Sequence, residues 1–205
     1  KTVFTEKTGV NSVIIDSMED PDKVAANIAF SISLYSGQMC TAPQNILIPQ
    51  EGIKIPSGVL SFEDFAKKVA DNINSLVDNP KAGPFVLGAI QNKRTCDRVD
   101  AAEKLQGKVW LKSRKIANPM FPNARVATPV LVEVDASQKT VFAQELFGPI
   151  AILIRTANTD QSISIAKDMA LRHGAISCGA STTDRSVKEK IADEMASAAT
   201  PVSLI

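Results

Sequence analysis

Residues 12–48 read SVIIDSMEDPDKVAANIAFSISLYSGQMCTAPQNILI, and the order of patterns inside this stretch decides the fold. Its first five residues (12–16) are a short apolar run rich in β-branched side chains, which suits a strand buried on both faces. Pro21 and Asp22 then open a helix, because proline is tolerated where the first amide has no partner anyway. Val24, Ile28, Ile32 and Tyr35 recur at helical spacing along it, and Gly37 is expected to stop it. A second apolar strand follows at 45–48. A strand, a helix and another strand in this order form a βαβ unit, and such units imply a parallel sheet.

The same rhythm continues to the end of the chain. Residues 49–60 hold two prolines and two glycines and read as a loop, after which Ser61 and Asp64 cap a helix reaching about Val77. Further helices are expected over 92–105, 160–172 and 184–198. Further strands are expected over 109–111, 130–134, 150–154, 175–180 and 201–205. The predicted class is therefore α/β, a mainly parallel sheet flanked by helices.

Composition sets limits on function. The 205 residues are 44% hydrophobic and 22% charged, an ordinary balance for a globular protein. A chain of this length can bury about 70% of its surface, so one domain spanning 1–205 suffices. Lys and Arg total 23 against 22 for Asp and Glu, with no basic run, which argues against nucleic acid as a partner. No apolar stretch is long enough for a membrane span, and the three cysteines, Cys40, Cys96 and Cys178, follow no CxxC spacing. A reducing, cytoplasmic setting is the expectation. A zinc site is not expected, because one histidine and scattered cysteines offer no ligand cluster. The chain begins without an initiator Met and ends on a strand, so a piece of a longer protein is expected.

Candidate chemistry centres on Cys40. The run Ser36-Gly37-Gln38-Met39-Cys40 places a thiol on a turn between helix and strand, where Gly37 can take a positive φ. Such a thiol can face a cleft with its own amide available to an oxyanion, or it can be a small buried hydrophobe. His173 sits at a helix end, where a cation is favoured, so a base for Cys40 is better sought among carboxylates. Glu6 precedes Gly9 and Asn11 and the first strand, one strand and one helix before Cys40. The segment Glu145-Leu146-Phe147-Gly148-Pro149 is a turn before another strand.

Together these three segments resemble the catalytic half of the aldehyde dehydrogenase superfamily, in order and in spacing. Cys40 matches the family's nucleophile in its glycine-glutamine-any-cysteine motif, Glu6 its general base, and Glu145 and Phe147 its cofactor-binding contacts. Residues 40–45 (CTAPQN) look closest to the PaaN-type enzymes of phenylacetic acid degradation. Lys7 and Thr8 stand where the family commonly has leucine and glycine. No GxGxxG is present, and the family's dinucleotide-binding domain and oxyanion asparagine lie upstream of the matching segment. The resemblance implies NAD- or NADP-dependent oxidation of an aldehyde through a cysteine thioester, in a homo-oligomer. Two alternatives are a coenzyme A-acylating relative and a non-catalytic interaction domain. The chain by itself is expected to fold without turning over aldehyde.

Overall fold

The computed structural model describes residues 8–205. Its main sheet has seven strands in the order β5-β6-β7-β2-β1-β8-β9, namely β1 (Ser12–Ile15), β2 (Asn45–Pro49), β5 (Lys108–Leu111), β6 (Val130–Asp135), β7 (Ile150–Thr156), β8 (Cys178–Ser181) and β9 (Val202–Leu204). All neighbours pair in parallel except β5 with β6. The predicted α/β class is therefore observed.

Alternation along the central strands builds a core on each face. Val13, Ile15, Ile46, Ile48, Leu131, Ala151 and Leu153 point to one side, against α1 (Pro21–Ser33) and α2 (Phe62–Val77). Ile14, Leu47, Val130, Val132, Ile152 and Ile154 point to the other, against α6 (Thr159–His173) and α7 (Arg185–Ser197). Because side chains alternate with a period of two, a strand covered on both sides must be apolar throughout, as 12–15 and 45–48 are. Each long helix starts on a short polar acceptor. Asp20 accepts from the Asp22 and Lys23 amides, Ser61 from Asp64, Asn158 from Gln161, and Asp184 from Ser186 and Val187.

Three local expectations are corrected. The first helix ends at Ser33 rather than at Gly37, because Tyr35, Ser36 and Gly37 all take positive φ in a tight turn. Tyr35 is consequently exposed and leaves the apolar stripe that buries Val24, Ile28 and Ile32. Residues 49–60 are not a plain loop: β3 (Ile53–Ile55) and β4 (Gly58–Leu60) pair as an antiparallel hairpin, with Ile53 buried beneath α2. The strand expected from residue 175 begins only at Cys178, since the amides of Ile176 and Ser177 are diverted to the Asn11 side chain. Short helices α3 (Gly83–Leu87) and α5 (Lys139–Phe142) flank α4 (Lys93–Ala102) and β6 without any prior sequence signal.

Candidate active site

Four segments lead into four adjacent strands and meet at one edge of the sheet. Residues 9–11 precede β1, residues 37–44 precede β2, residues 145–148 precede β7, and residues 176–177 precede β8. All of these are amino-terminal ends of parallel strands. Ligands in open α/β sheets usually sit at the carboxyl ends, so the grouping here lies on the opposite edge.

The turn before Cys40 is shaped by strain and by its partners. Left-handed backbone costs an L-residue roughly 1–2 kcal/mol, yet Tyr35 (φ 52°) and Ser36 (φ 56°) both adopt it. Ser36 is held there because its buried Oγ donates to the Leu87 carbonyl at 2.5 Å. Gln38 Nε2 donates to the Tyr35 and Ala89 carbonyls, and its Oε1 accepts from the Gln91 amide. Gly37 (φ 62°) lies against the second motif so closely that an added Cβ would come within 2.2 Å of the Gly148 carbonyl oxygen. Only glycine satisfies both the backbone angle and that approach.

Cys40 emerges from this turn exposed. Among the described residues its amide N–H donates no hydrogen bond, whereas its carbonyl accepts from Asn11 Nδ2 at 2.7 Å. Asn11 is buried and fully used: Nδ2 also donates to the Ala42 carbonyl, while Oδ1 accepts from the Ile176 and Ser177 amides. One carboxamide thus ties the lead-in segments of β1, β2 and β8 together.

Glu145 and Phe147 are half-buried on the other wall. Glu145 Oε1 accepts from the Gly9 amide at 3.3 Å, the Phe147 carbonyl accepts from Arg98, and the Leu146 amide donates to Gln44. Gly9, Asn11, Cys40, Glu145 and Phe147 line one cleft, whose void of about 20 Å³ holds about one water. Glu6 lies outside the described residues. A larger groove of about 320 Å³ opens on the other side of the Cys40 loop, bordered by Phe30, Leu34, Met39, Thr41 and Ser12. Leu34 reaches this groove, while Tyr35 turns away toward Gly88.

The other cysteines differ in kind. Cys178 is fully buried in β8, and burial pushes its thiol up to about 12, so it stays protonated. Cys96 sits half-buried on α4 and borders a separate groove, so Cys40 is not alone among the cysteines in bordering a cleft. His173 ends α6 and does not line the Cys40 cleft.

The amino-acid sequence matches the aldehyde dehydrogenase family over residues 1–202. The chain belongs to the aldehyde dehydrogenase family. An NAD-dependent aldehyde dehydrogenase from Burkholderia multivorans is 40% identical and superposes with a TM-score of 0.94, over 98% of this chain and 36% of that one. N-succinylglutamate 5-semialdehyde dehydrogenase from Burkholderia mallei is 29% identical over 89% of this chain and 35% of its own length. A putative methylmalonate-semialdehyde dehydrogenase from Sinorhizobium meliloti, solved with NAD, shares the fold at a TM-score of 0.66 and 16% identity, covering 91% of this chain and 37% of that one. The chain spans about a third of the length of these aldehyde dehydrogenases.

Two contributors escaped sequence reasoning. Asn11 stands in the Glu6 segment and Gln44 in the run 40–45, and no local pattern assigns either residue a task. The available signal was their position: carboxamides just ahead of, or inside, apolar strands must be hydrogen-bonded when buried.

Proposed function

We propose that this chain is the catalytic part of an NAD-dependent aldehyde dehydrogenase that oxidises an aldehyde to a carboxylic acid. The observation supporting it is the convergence of Cys40, Gly9 and the Glu145–Phe147 wall on one cleft. In this reading Cys40 attacks as thiolate, its sulfur bonding to the carbonyl carbon while the oxygen becomes an oxyanion. The Cys40 amide, which donates no hydrogen bond among the described residues, is available to donate to that oxyanion. The adjacent apolar groove takes the aldehyde's side chain, with Leu34 and Met39 as walls.

The residues present fit a cofactor's nicotinamide end. Glu145 uses one oxygen on Gly9, and among the described residues its Oε2 accepts nothing, leaving an acceptor for a ribose hydroxyl. Phe147 supplies an apolar wall beside it. NAD, when bound, supplies the acceptor for the hydride that leaves the former carbonyl carbon. Glu6 then takes a proton from the water that hydrolyses the Cys40 thioester, returning the thiolate and releasing the acid. The preference for NAD over NADP is supported by the relative from Burkholderia multivorans. The resemblance of residues 40–45 to PaaN-type enzymes supports an aromatic aldehyde from phenylacetic acid degradation, handled by a cytoplasmic homo-oligomer whose dinucleotide-binding domain lies outside residues 1–205.

The test uses the full-length protein, with NAD and NADP compared and with phenylacetaldehyde among the aldehydes. Cys40→Ala should abolish reduced-cofactor formation. Glu6→Gln should give a burst of reduced cofactor followed by slow turnover, because an amide cannot accept the water proton. Full turnover by Cys40→Ala would refute the assignment. Turnover only with coenzyme A present, releasing an acyl-coenzyme A thioester in place of the free acid, would move the protein to the acylating class.

A further inference from the structure

We propose that Gln44 is a positioning residue that sets Glu145 for its cofactor, an inference that rests on the reading of Glu145 given above. Gln44 stands four residues after Cys40, immediately before β2, and is buried. Its carboxamide grips the backbone on both sides of Glu145. Oε1 accepts from the Leu146 amide at 2.6 Å, and Nε2 donates to the Gln144 carbonyl at 3.0 Å. Because one partner is an N–H and the other a C=O, the amide can be oriented only one way.

The rest of its hydrogen-bonding capacity is also taken. Nε2 donates at 3.2 Å to Asn45 Oδ1, and Asn45 Nδ2 donates to the Phe142 carbonyl at 3.1 Å. The Gln44 amide donates to the Asn11 carbonyl, and its own carbonyl accepts from Ile152 in β7. A closed circuit results: Asn11 holds the Cys40 loop, the same loop carries Gln44, Gln44 holds the flanks of Glu145, and Glu145 returns to Gly9. The carboxylate is thereby fixed relative to the thiol by two buried carboxamides whose hydrogen bonds run mainly to backbone groups. Positioning of this kind matters because misplacement by about 1 Å at a reacting site can cost about 10²-fold in rate.

Two substitutions separate this role from bulk packing. Gln44→Met keeps length and loses both hydrogen-bonding functions. Gln44→Glu keeps the shape and the acceptor, but as a carboxylate it cannot donate to Gln144. Protonation restores a donor, and burial raises the pH at which this happens. In the full-length protein, Gln44→Met should speed amide exchange at Leu146 and raise the KM for NAD, each by roughly tenfold, with the KM for aldehyde nearly unchanged. Cys40 alkylation without cofactor should stay within about twofold of wild type, since Asn11 still holds that loop. Gln44→Glu should show the raised KM for NAD at pH 8 and partial recovery toward pH 6.

Unchanged exchange at Leu146, an unchanged KM for NAD, or a Gln44→Glu profile parallel to wild type would each overturn the proposal. Faster Leu146 exchange in Gln44→Met, together with a wild-type protein that binds neither NAD nor NADP, would instead overturn the reading of Glu145 and, with it, the cofactor role assigned to Gln44.

Discussion

Replacing Gly37 by alanine tests whether the close approach of the nucleophile turn to Gly148 shapes the site. Two costs combine at this position. The φ of 62° is left-handed, worth about 1–2 kcal/mol against a side chain. The new Cβ would also lie 2.2 Å from the Gly148 oxygen, 2.5 Å from its carbon and 2.9 Å from the Pro149 nitrogen, all backbone atoms that cannot rotate away. Forcing such an overlap costs about 1–3 kcal/mol more. At Gly88 an added Cβ meets only Tyr35 atoms at 3.7 Å and 3.8 Å, an ordinary contact, so Gly88→Ala carries no overlap. Its φ of 65° with ψ of −177° is an essentially glycine-only backbone, costing about 1–3 kcal/mol. Gly37→Ala should lose about 2–5 kcal/mol in total. At roughly 2–4 °C per kcal/mol for a unit of this size, melting should fall by about 2–12 °C for Gly88→Ala and about 4–20 °C for Gly37→Ala. Urea denaturation and thermal melting, followed side by side, read both variants. A Gly37→Ala protein destabilised by less than about 1 kcal/mol would show that the two motifs are not wedged together, and the cleft geometry would lose its basis.

Other consequences are open to direct measurement. With its thiol raised to about 12, Cys178 should carry only about 10⁻⁴ of its population as thiolate at pH 8; peptide mapping after brief alkylation should find Cys40 modified first, and faster labelling of Cys178 or Cys96 would contradict the site. Asn11→Ala strands the carbonyls of Cys40 and Ala42 and the amides of Ile176 and Ser177; a loss of about 2–4 kcal/mol in urea denaturation is expected, and a change below about 0.5 kcal/mol would mean water replaces the side chain without penalty. The Arg155 guanidinium hydrogen-bonds Glu63 and holds its carboxyl below the ordinary 4.5. A lowered folded-state value contributes stability above the unfolded value that disappears as pH falls through the folded one. Glu63→Gln should thus flatten part of the acid limb of the stability curve below about pH 4.5, and an acid limb identical to wild type would show the pair to be solvent-screened.

The sequence was most legible where local chemistry and tertiary structure agree. The doubly apolar runs at 12–15 and 45–48 had to be central strands, and Asp184, Ser61 and Asn92 mark helix starts because their side chains satisfy amides that would otherwise lack partners. The approach of Cys40 to the Glu145 segment was legible only through the family resemblance, since no local pattern links residues so far apart. What stayed hidden was decided by contacts distant in sequence. Helical spacing carried through Tyr35, but the Ser36 bond to Leu87 and the contact of Gly37 with Gly148 bend the chain away. The hairpin at 53–60 has strands of three residues beside two prolines, too short for alternation to register. Asn11 and Gln44 looked like ordinary polar residues because their partners are backbone groups of other segments.

Placing the cleft at the amino ends of the strands also fixes the sign of the backbone field there. Helices in βαβ units run opposite to the strands, so α1 and α6 direct their carbonyl ends toward this edge: α1 stops at Ser33 just before the Cys40 turn, and the carbonyl after α6, that of Gly174, accepts from Val10 beside Gly9. Each such end carries roughly half a negative charge. A phosphate gains nothing from that environment, whereas a cationic ring does. In the function proposed above, the polarity of the sheet would orient a dinucleotide before any side chain touched it, favouring the positively charged nicotinamide at this edge over the pyrophosphate.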